Sequence, residues 1–155
     1  KTQGANTVAN PLSTSALTKG DLDNFEKFKD FDPVKAKKHL LENPDDNKTA
    51  KLVASADAIA YLADEAKKKG LDVSEVLKDV DTNAIVISLE NDDSNISEVV
   101  TQVIEPAGKI HNIDTKQIDS KVEETHKAIK ELHLAIKNGD INSTDSKEAI
   151  NAIIA

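Results

Sequence analysis

The chain has 155 residues, a formal net charge of −8 at neutral pH, and no cysteine, methionine or tryptophan. That length fits one domain able to bury roughly 70% of the surface its unfolded chain exposes. The missing cysteines exclude disulfides, thiol chemistry and Cys-based zinc sites; no apolar run approaches the roughly 18 residues of a membrane span; and the acidic balance argues against nucleic acid, which calls for a basic stripe.

All 20 basic residues are lysine. AT-rich coding is the simplest reason, yet the consequence is chemical: no guanidinium fork can grip a phosphate or carboxylate with two parallel hydrogen bonds. The aromatics are Phe25, Phe28, Phe31 and Tyr61.

Residues 1–20 are small and polar without a sustained period and read as a flexible tether. The chain starts at Lys1 rather than Met, so an upstream segment is expected to have been removed or left out, and a secretory signal would fit. Leu22, Phe25 and Phe28, at steps of three, predict a short helix turning its aromatics toward the core. Asp32-Pro33 opens the next helix, with Asp as N-cap and Pro at the first helical position; it runs to about Asn43 and stops at Pro44. Asp45 or Asp46 caps a long helix over 46–69, in which Leu52, Ile59, Leu62 and Ala66 mark one face. Ala54, Ala56, Ala58, Ala60 and Ala63 leave room for a close neighbour, and Lys67, Lys68 and Lys69 complement the dipole before Gly70 ends it. Asp72 with Glu75 reads as a capping box before Val76, Leu77 and Val80.

Ala84–Leu89 is ambiguous. Its β-branched run is strand-like, but a lone strand would strand its own backbone groups, so the expectation is a buried helix. Ile96, Val99, Val100, Val103 and Ile104 form another helical face, expected to end at Pro106. Residues 114–139 carry the strongest pattern, and the rest of the chain is expected to pack around them. Ile118, Val122, Thr125, Ile129, Leu132 and Ile136 recur at alternating steps of four and three, the spacing of a bundle seam. Asp114 with Gln117, or Ser120 with Glu123, can box its start, and Gly139 its end. A final helix capped by Ser143 or Thr144 would dock Ile150, Ile153 and Ile154 on the core.

Candidate sites are few. His39, His111, His126 and His133 are the side chains that titrate unperturbed near neutrality. His126 and His133 lie about 10.5 Å apart along one helix axis, too far for one metal ion to bridge with bonds of about 2 Å. They read as border residues flanking the apolar stripe. No His-Glu-x-x-His, nucleophile elbow or phosphate-cradling loop is present. Ile141–Asp145 resembles the closing half of a calcium loop. Counting back, however, puts Leu134 and Ile136 at positions one and three, where a hard cation needs oxygen, so a helix–turn–helix junction is the better reading. Leu134 falls about 160° from the stripe on a helical wheel and is expected to be exposed.

The clearest asymmetry is in residues 79–108, with seven acids (Asp79, Asp81, Glu90, Asp92, Asp93, Glu98, Glu105) and no lysine. A solvated helix–loop–helix explains this. So does a docking surface for a basic partner, where complementary charge steers encounter. On the second reading Glu90, Asp92, Asp93 and Glu98 are the contact residues, in and around the most polar break of the chain.

An arginine-free, Lys- and Asn-rich helical domain behind a small polar lead resembles the mature outer-surface lipoproteins of Borrelia, and Thr144–Ile150 is similar to a short lysine–acid segment in helical members. In size and character the factor H-binding lipoproteins of relapsing-fever Borrelia are the nearest kind. The resemblance implies a lipid anchor on a cysteine just before Lys1, an outer-membrane surface location, and a non-enzymatic protein that recruits complement factor H, sometimes plasminogen. It carries over no site residues.

The expectation is therefore an all-α, single-domain helical bundle over 21–155 behind a tether over 1–20, with two long helices near 46–69 and 115–138 and several short ones. It is expected to be a monomer with no cofactor, metal, catalytic residue or nucleic-acid partner, contacting membrane only through the anchor. Its leading function is capture of a host serum protein for complement evasion. The alternative is a structural or adhesive surface protein that binds plasminogen, extracellular matrix or another host ligand.

Overall fold

The computed structural model describes residues 11–91 and 95–138. Among them are eight helices and no strand, so the fold is all-α. In chain order they are α1 (Pro11–Lys19), α2 (Leu22–Phe28), α3 (Pro33–Glu42), α4 (Asn47–Lys68), α5 (Val73–Lys78), α6 (Thr82–Glu90), α7 (Ile96–His111) and α8 (Thr115–Asn138).

The boundaries follow local chemistry. Asp32, Asp46 and Asp81 each accept a hydrogen bond from the backbone N–H three residues on, opening α3, α4 and α6, the geometry that satisfies an orphan donor of a first turn. Asp114 accepts from the Lys116 N–H at the start of α8. Ser120 lies inside that helix and caps nothing. Asp72 caps α5 through the Ser74 N–H, while Glu75 pairs with Lys78 at 3.3 Å, so the reciprocal half of the expected box is absent. Gly70, at φ +75°, follows the end of α4 in the left-handed region that favours glycine. The β-branched run Ala84–Leu89 is helical, burying Ala84, Ile85 and Ser88.

The organising element is α4 rather than α8. It packs against α1, α3, α5, α6, α7 and α8. Its buried residues, among them Ala50, Ala54, Ser55, Ala56 and Ala58, are small enough to admit neighbours on nearly every side. Among the described residues the stripe on α8 packs against α3, α4 and α7. Two apolar clusters result among the described residues. The larger joins Leu12, Phe28, Ile59, Leu62, Val80, Ile85, Val103, Ile104, Ile118 and Val122; the smaller joins Leu40, Leu41, Ala50, Val53, Ile129 and Leu132.

Several expectations need correcting. Residues 11–19 are not tether: α1 buries Leu12, Ser15 and Ala16 on one face, and Lys19 Nζ donates to the Val80 carbonyl at 2.6 Å. Its hydroxyl-rich composition hid a short stripe in which serines fill tight positions. Pro106 does not end α7. Buried Val103, Ile104 and Ala107 hold the turn around it, offsetting the missing donor, and the helix stops at Asn112 in the left-handed conformation (φ 58°). Leu22 is exposed. α2 is oriented instead by buried Asn24, whose amide lies within hydrogen-bond distance of Asp21, Thr82 and Asn83, and by Phe28. The expected docking helix after residue 142 and the Gly139 cap lie outside the described residues.

Candidate functional site

Of the expected contact residues, Glu90 and Glu98 flank the connection between α6 and α7. The end of α6 is anchored from the centre of the fold: Lys51 on α4 is 1% exposed, and its ammonium donates to the Ser88 and Asn91 carbonyls at 2.6 and 2.7 Å. A buried ammonium at a helix C-terminus meets the last carbonyls, that of Ser88 accepting from the Asn91 N–H as well, and the negative end of the dipole. On the far side of the connection Asn95 caps α7 by accepting from the Glu98 N–H at 2.8 Å, and its side-chain amide donates back to Glu98 Oε1 at 3.1 Å. Glu90 and Glu98 are both exposed. Ile87, 64% exposed, precedes Glu90 by three positions and so shares its face of α6. Asp92 and Asp93 lie outside the described residues.

The other acids of 79–108 do not join this shoulder. Asp79 pairs with His111 at 2.7 Å, Asp81 is spent on the cap of α6, and Glu105 pairs with Lys109 at 3.0 Å. The segment that reads as one acidic surface in sequence is thus divided between the two ends of α6 and the outer face of α7.

A second feature runs along α8. Two of its seam residues, Val122 and Ile129, pack into different clusters, and His126 lies between them. It is not a border residue: only 7% of it is exposed, and Nε2 is buried without a hydrogen-bond partner. The expected seam residue Thr125 is half-buried, with its hydroxyl donating back to the Lys121 carbonyl. Both fit the spacing, and the rotation of α8 chooses the ring. Burial, then the charges of Lys130 and Lys37, pull the His126 pKa down from 6.5 to about 4, because each disfavours the protonated form. The ring lines two adjoining cavities. An inner one of about 190 Å³ is walled by Leu40, Ala50, Ile96 and Ile129, with Asp45 and Lys130 at its polar side. An outer, more open one of about 470 Å³ is walled by Asn95, Ile96, Ser97, Glu123, Lys127 and Lys130.

Several other ionisable groups pair within the fold. Lys37 and Asp57 form a mostly buried ion pair at 3.2 Å; burial raises the Asp57 pKa despite the lysine. His39 meets Asp46 at 2.7 Å, and His133 Nδ1 meets the Leu41 carbonyl at 2.7 Å. Among the described residues no three of His, Cys, Asp and Glu converge to hold a metal ion, and no helix is long and apolar enough to cross a membrane. Sequence reasoning missed Lys51, His126 and the Lys37–Asp57 pair. A signal existed for the first and last, since Lys51 and Asp57 interrupt the small-residue helix on its apolar sides. For His126 only the shared 122–126–129 spacing was available. No family model, curated protein or solved structure matches the chain.

Proposed function

We propose that the chain is the binding domain of a bacterial surface lipoprotein whose α6–α7 shoulder captures a basic face of a host serum protein, with complement factor H as the first partner to test. The observation that carries the reading is the placement of Glu90 and Glu98. They are exposed on either side of the α6–α7 connection and beside exposed Ile87, with Glu98 accepting from the Asn95 amide, while Asp79 pairs with His111, Asp81 caps α6 and Glu105 pairs with Lys109 along α7. An apolar contact edged by like charges suits a partner surface that is itself basic. The arginine-free, lysine-rich composition and its resemblance to Borrelia surface lipoproteins supply the host-protein class. The protein acts without catalysis in this reading, as a monomer held at the outer membrane by an upstream lipid.

The test is surface plasmon resonance against purified factor H, comparing the native chain with Glu90→Lys/Asp92→Lys and with Lys67→Glu/Lys68→Glu. The lysine pair is a remote control. It lies sixteen residues along α4 from Lys51, about 24 Å from the shoulder's anchor. Association should slow for the acidic pair and with rising salt, as steering by exposed charge requires, and stay unchanged for the lysine pair. Loss only in the lysine pair would move the site to the end of α4. If the native chain fails to bind factor H but retains plasminogen or matrix protein, the alternative ligand takes its place. Retention of none of these would overturn the host-capture reading.

A further inference from the structure

We propose that Lys51 is the positioning residue of the α6–α7 shoulder: its buried ammonium holds the last turn of α6, and with it Ile87 and Glu90, in one orientation before any partner arrives. What that turn contacts rests on the capture reading; that Lys51 orders it does not. α6 has nine residues, too few to hold a helix by themselves. Its start is tied to the body of the protein at several points. Asp81 caps it, the Asp81 N–H donates to the Val103 carbonyl at 2.9 Å, and the Asn24 amide reaches Thr82 and Asn83. Ile85, fully buried, holds its middle. At the last turn the Ser88 hydroxyl donates to the Ile85 carbonyl and the Asn91 N–H to the Ser88 carbonyl, both local bonds. Lys51 adds a link to α4, donating to the Ser88 and Asn91 carbonyls at 2.6 and 2.7 Å from 37 and 40 residues away in the chain.

Two features point to position rather than stability. First, the acceptors are backbone carbonyls, and among the described residues no carboxylate lies within ion-pair distance of Lys51. Taking an ammonium out of water is costly, and apolar replacement of buried charge is often neutral or stabilising, so stability alone does not call for lysine here. An ammonium bonded to two carbonyls three residues apart does fix the path of the backbone between them, because hydrogen bonds constrain both distance and direction. Second, residues 79–108 contain no lysine, and α6 has no basic residue in its last turn. The cation that complements the end of its dipole comes from α4 instead. Ile87 and Glu90 lie in that turn and are exposed. A surface held in this way loses little freedom on binding, which raises affinity without any added contact.

The test uses the full chain. In Lys51→Met the Leu89, Glu90 and Asn91 amides should exchange with deuterium about tenfold faster or more, as a locally opened segment does. The Val122 and Ile129 amides of α8 and the urea midpoint should stay as in the native chain. Because the chain has no cysteine, Lys51→Cys supplies a matched pair. Alkylated while unfolded and then refolded, with 2-bromoethylamine or with propyl iodide, it carries a side chain of lysine's length ending in an ammonium or in a methyl group. The aminoethyl form should restore native exchange at 89–91, and the propyl form should behave as Lys51→Met does. Against immobilised factor H both neutral forms should bind about fivefold more weakly, the cost of ordering one or two side chains on binding, and the aminoethyl form as tightly as the native chain. Failure of the native chain to bind factor H counts against the capture reading, while the exchange comparison still decides what Lys51 does. Unchanged exchange at 89–91 in both neutral forms overturns the positioning role. So does exchange that rises equally in α8, or a fold lost outright, since the ammonium would then support the core. Faster exchange at 89–91 with undiminished affinity overturns its part in capture.

Discussion

Acid should weaken this fold through one ring. His126 is held neutral in the seam of α8, its pKa depressed from 6.5 to about 4 by burial and then by Lys130 and Lys37. The unfolded chain takes up the proton more readily. The ring's contribution to stability is therefore complete above about pH 6.5 and is lost as the pH falls toward 4. A shift of about 2.5 units at 1.36 kcal/mol per unit implies a loss of about 3 kcal/mol between pH 7 and pH 4. That is a large share of the 5–15 kcal/mol typical of a domain. Asp57 and Asp119 work the other way. Burial raises both above 3.8, so their contribution is present at low pH and is lost as the pH rises through their folded values. The effect of His126 must therefore be isolated by a variant. His126→Leu removes the titration and the unpartnered nitrogen while keeping an apolar group between Val122 and Ile129. At pH 7 it should be at least as stable as the native chain, because a buried unsatisfied polar atom costs about 1–3 kcal/mol. Urea melts followed by circular dichroism at half-unit steps from pH 7 to pH 4 should show the advantage of the variant growing by about 3 kcal/mol. Parallel stability profiles for the two proteins would refute the buried, neutral ring.

Leu132→Ala should cost about 2–5 kcal/mol in the same melts, as truncation of a buried leucine does, and Leu134→Ala little, since they are 5% and 54% exposed; equal losses would mean α8 is rotated from its described orientation. Leu12, fully buried in α1, should also cost about 2–5 kcal/mol on truncation to Ala, whereas a residue in a tether would cost nothing, and the thermal midpoint distinguishes the two.

Much of the backbone was determined locally. Asp-Pro at 32–33, Asp46 and Gly70 set the limits of α3 and α4 through side-chain oxygens and a left-handed turn that need no distant partner. The alternating spacing of Ile118, Val122, Ile129 and Leu132 likewise identified the buried face of α8 from period alone. Tertiary structure decided whatever depended on which neighbour a surface met. α4 rather than α8 became the centre, because small side chains admit helices on many sides while a strong stripe admits them on one. Ser15 and Ala16 became core because a neighbouring helix closed over them. The acids of 79–108 looked like one surface only while their partners were unknown; of the five among the described residues, His111, Lys109 and the first turn of α6 took three, leaving Glu90 and Glu98 at the shoulder. Spacing allowed either Thr125 or His126 into the seam. A rotation of α8 by a fraction of a turn, set by its packing on α3, α4 and α7, buried an imidazole whose Nε2 has no partner near Lys37 of α3 and Ile96 of α7, neighbours far apart in the chain that no local pattern encodes.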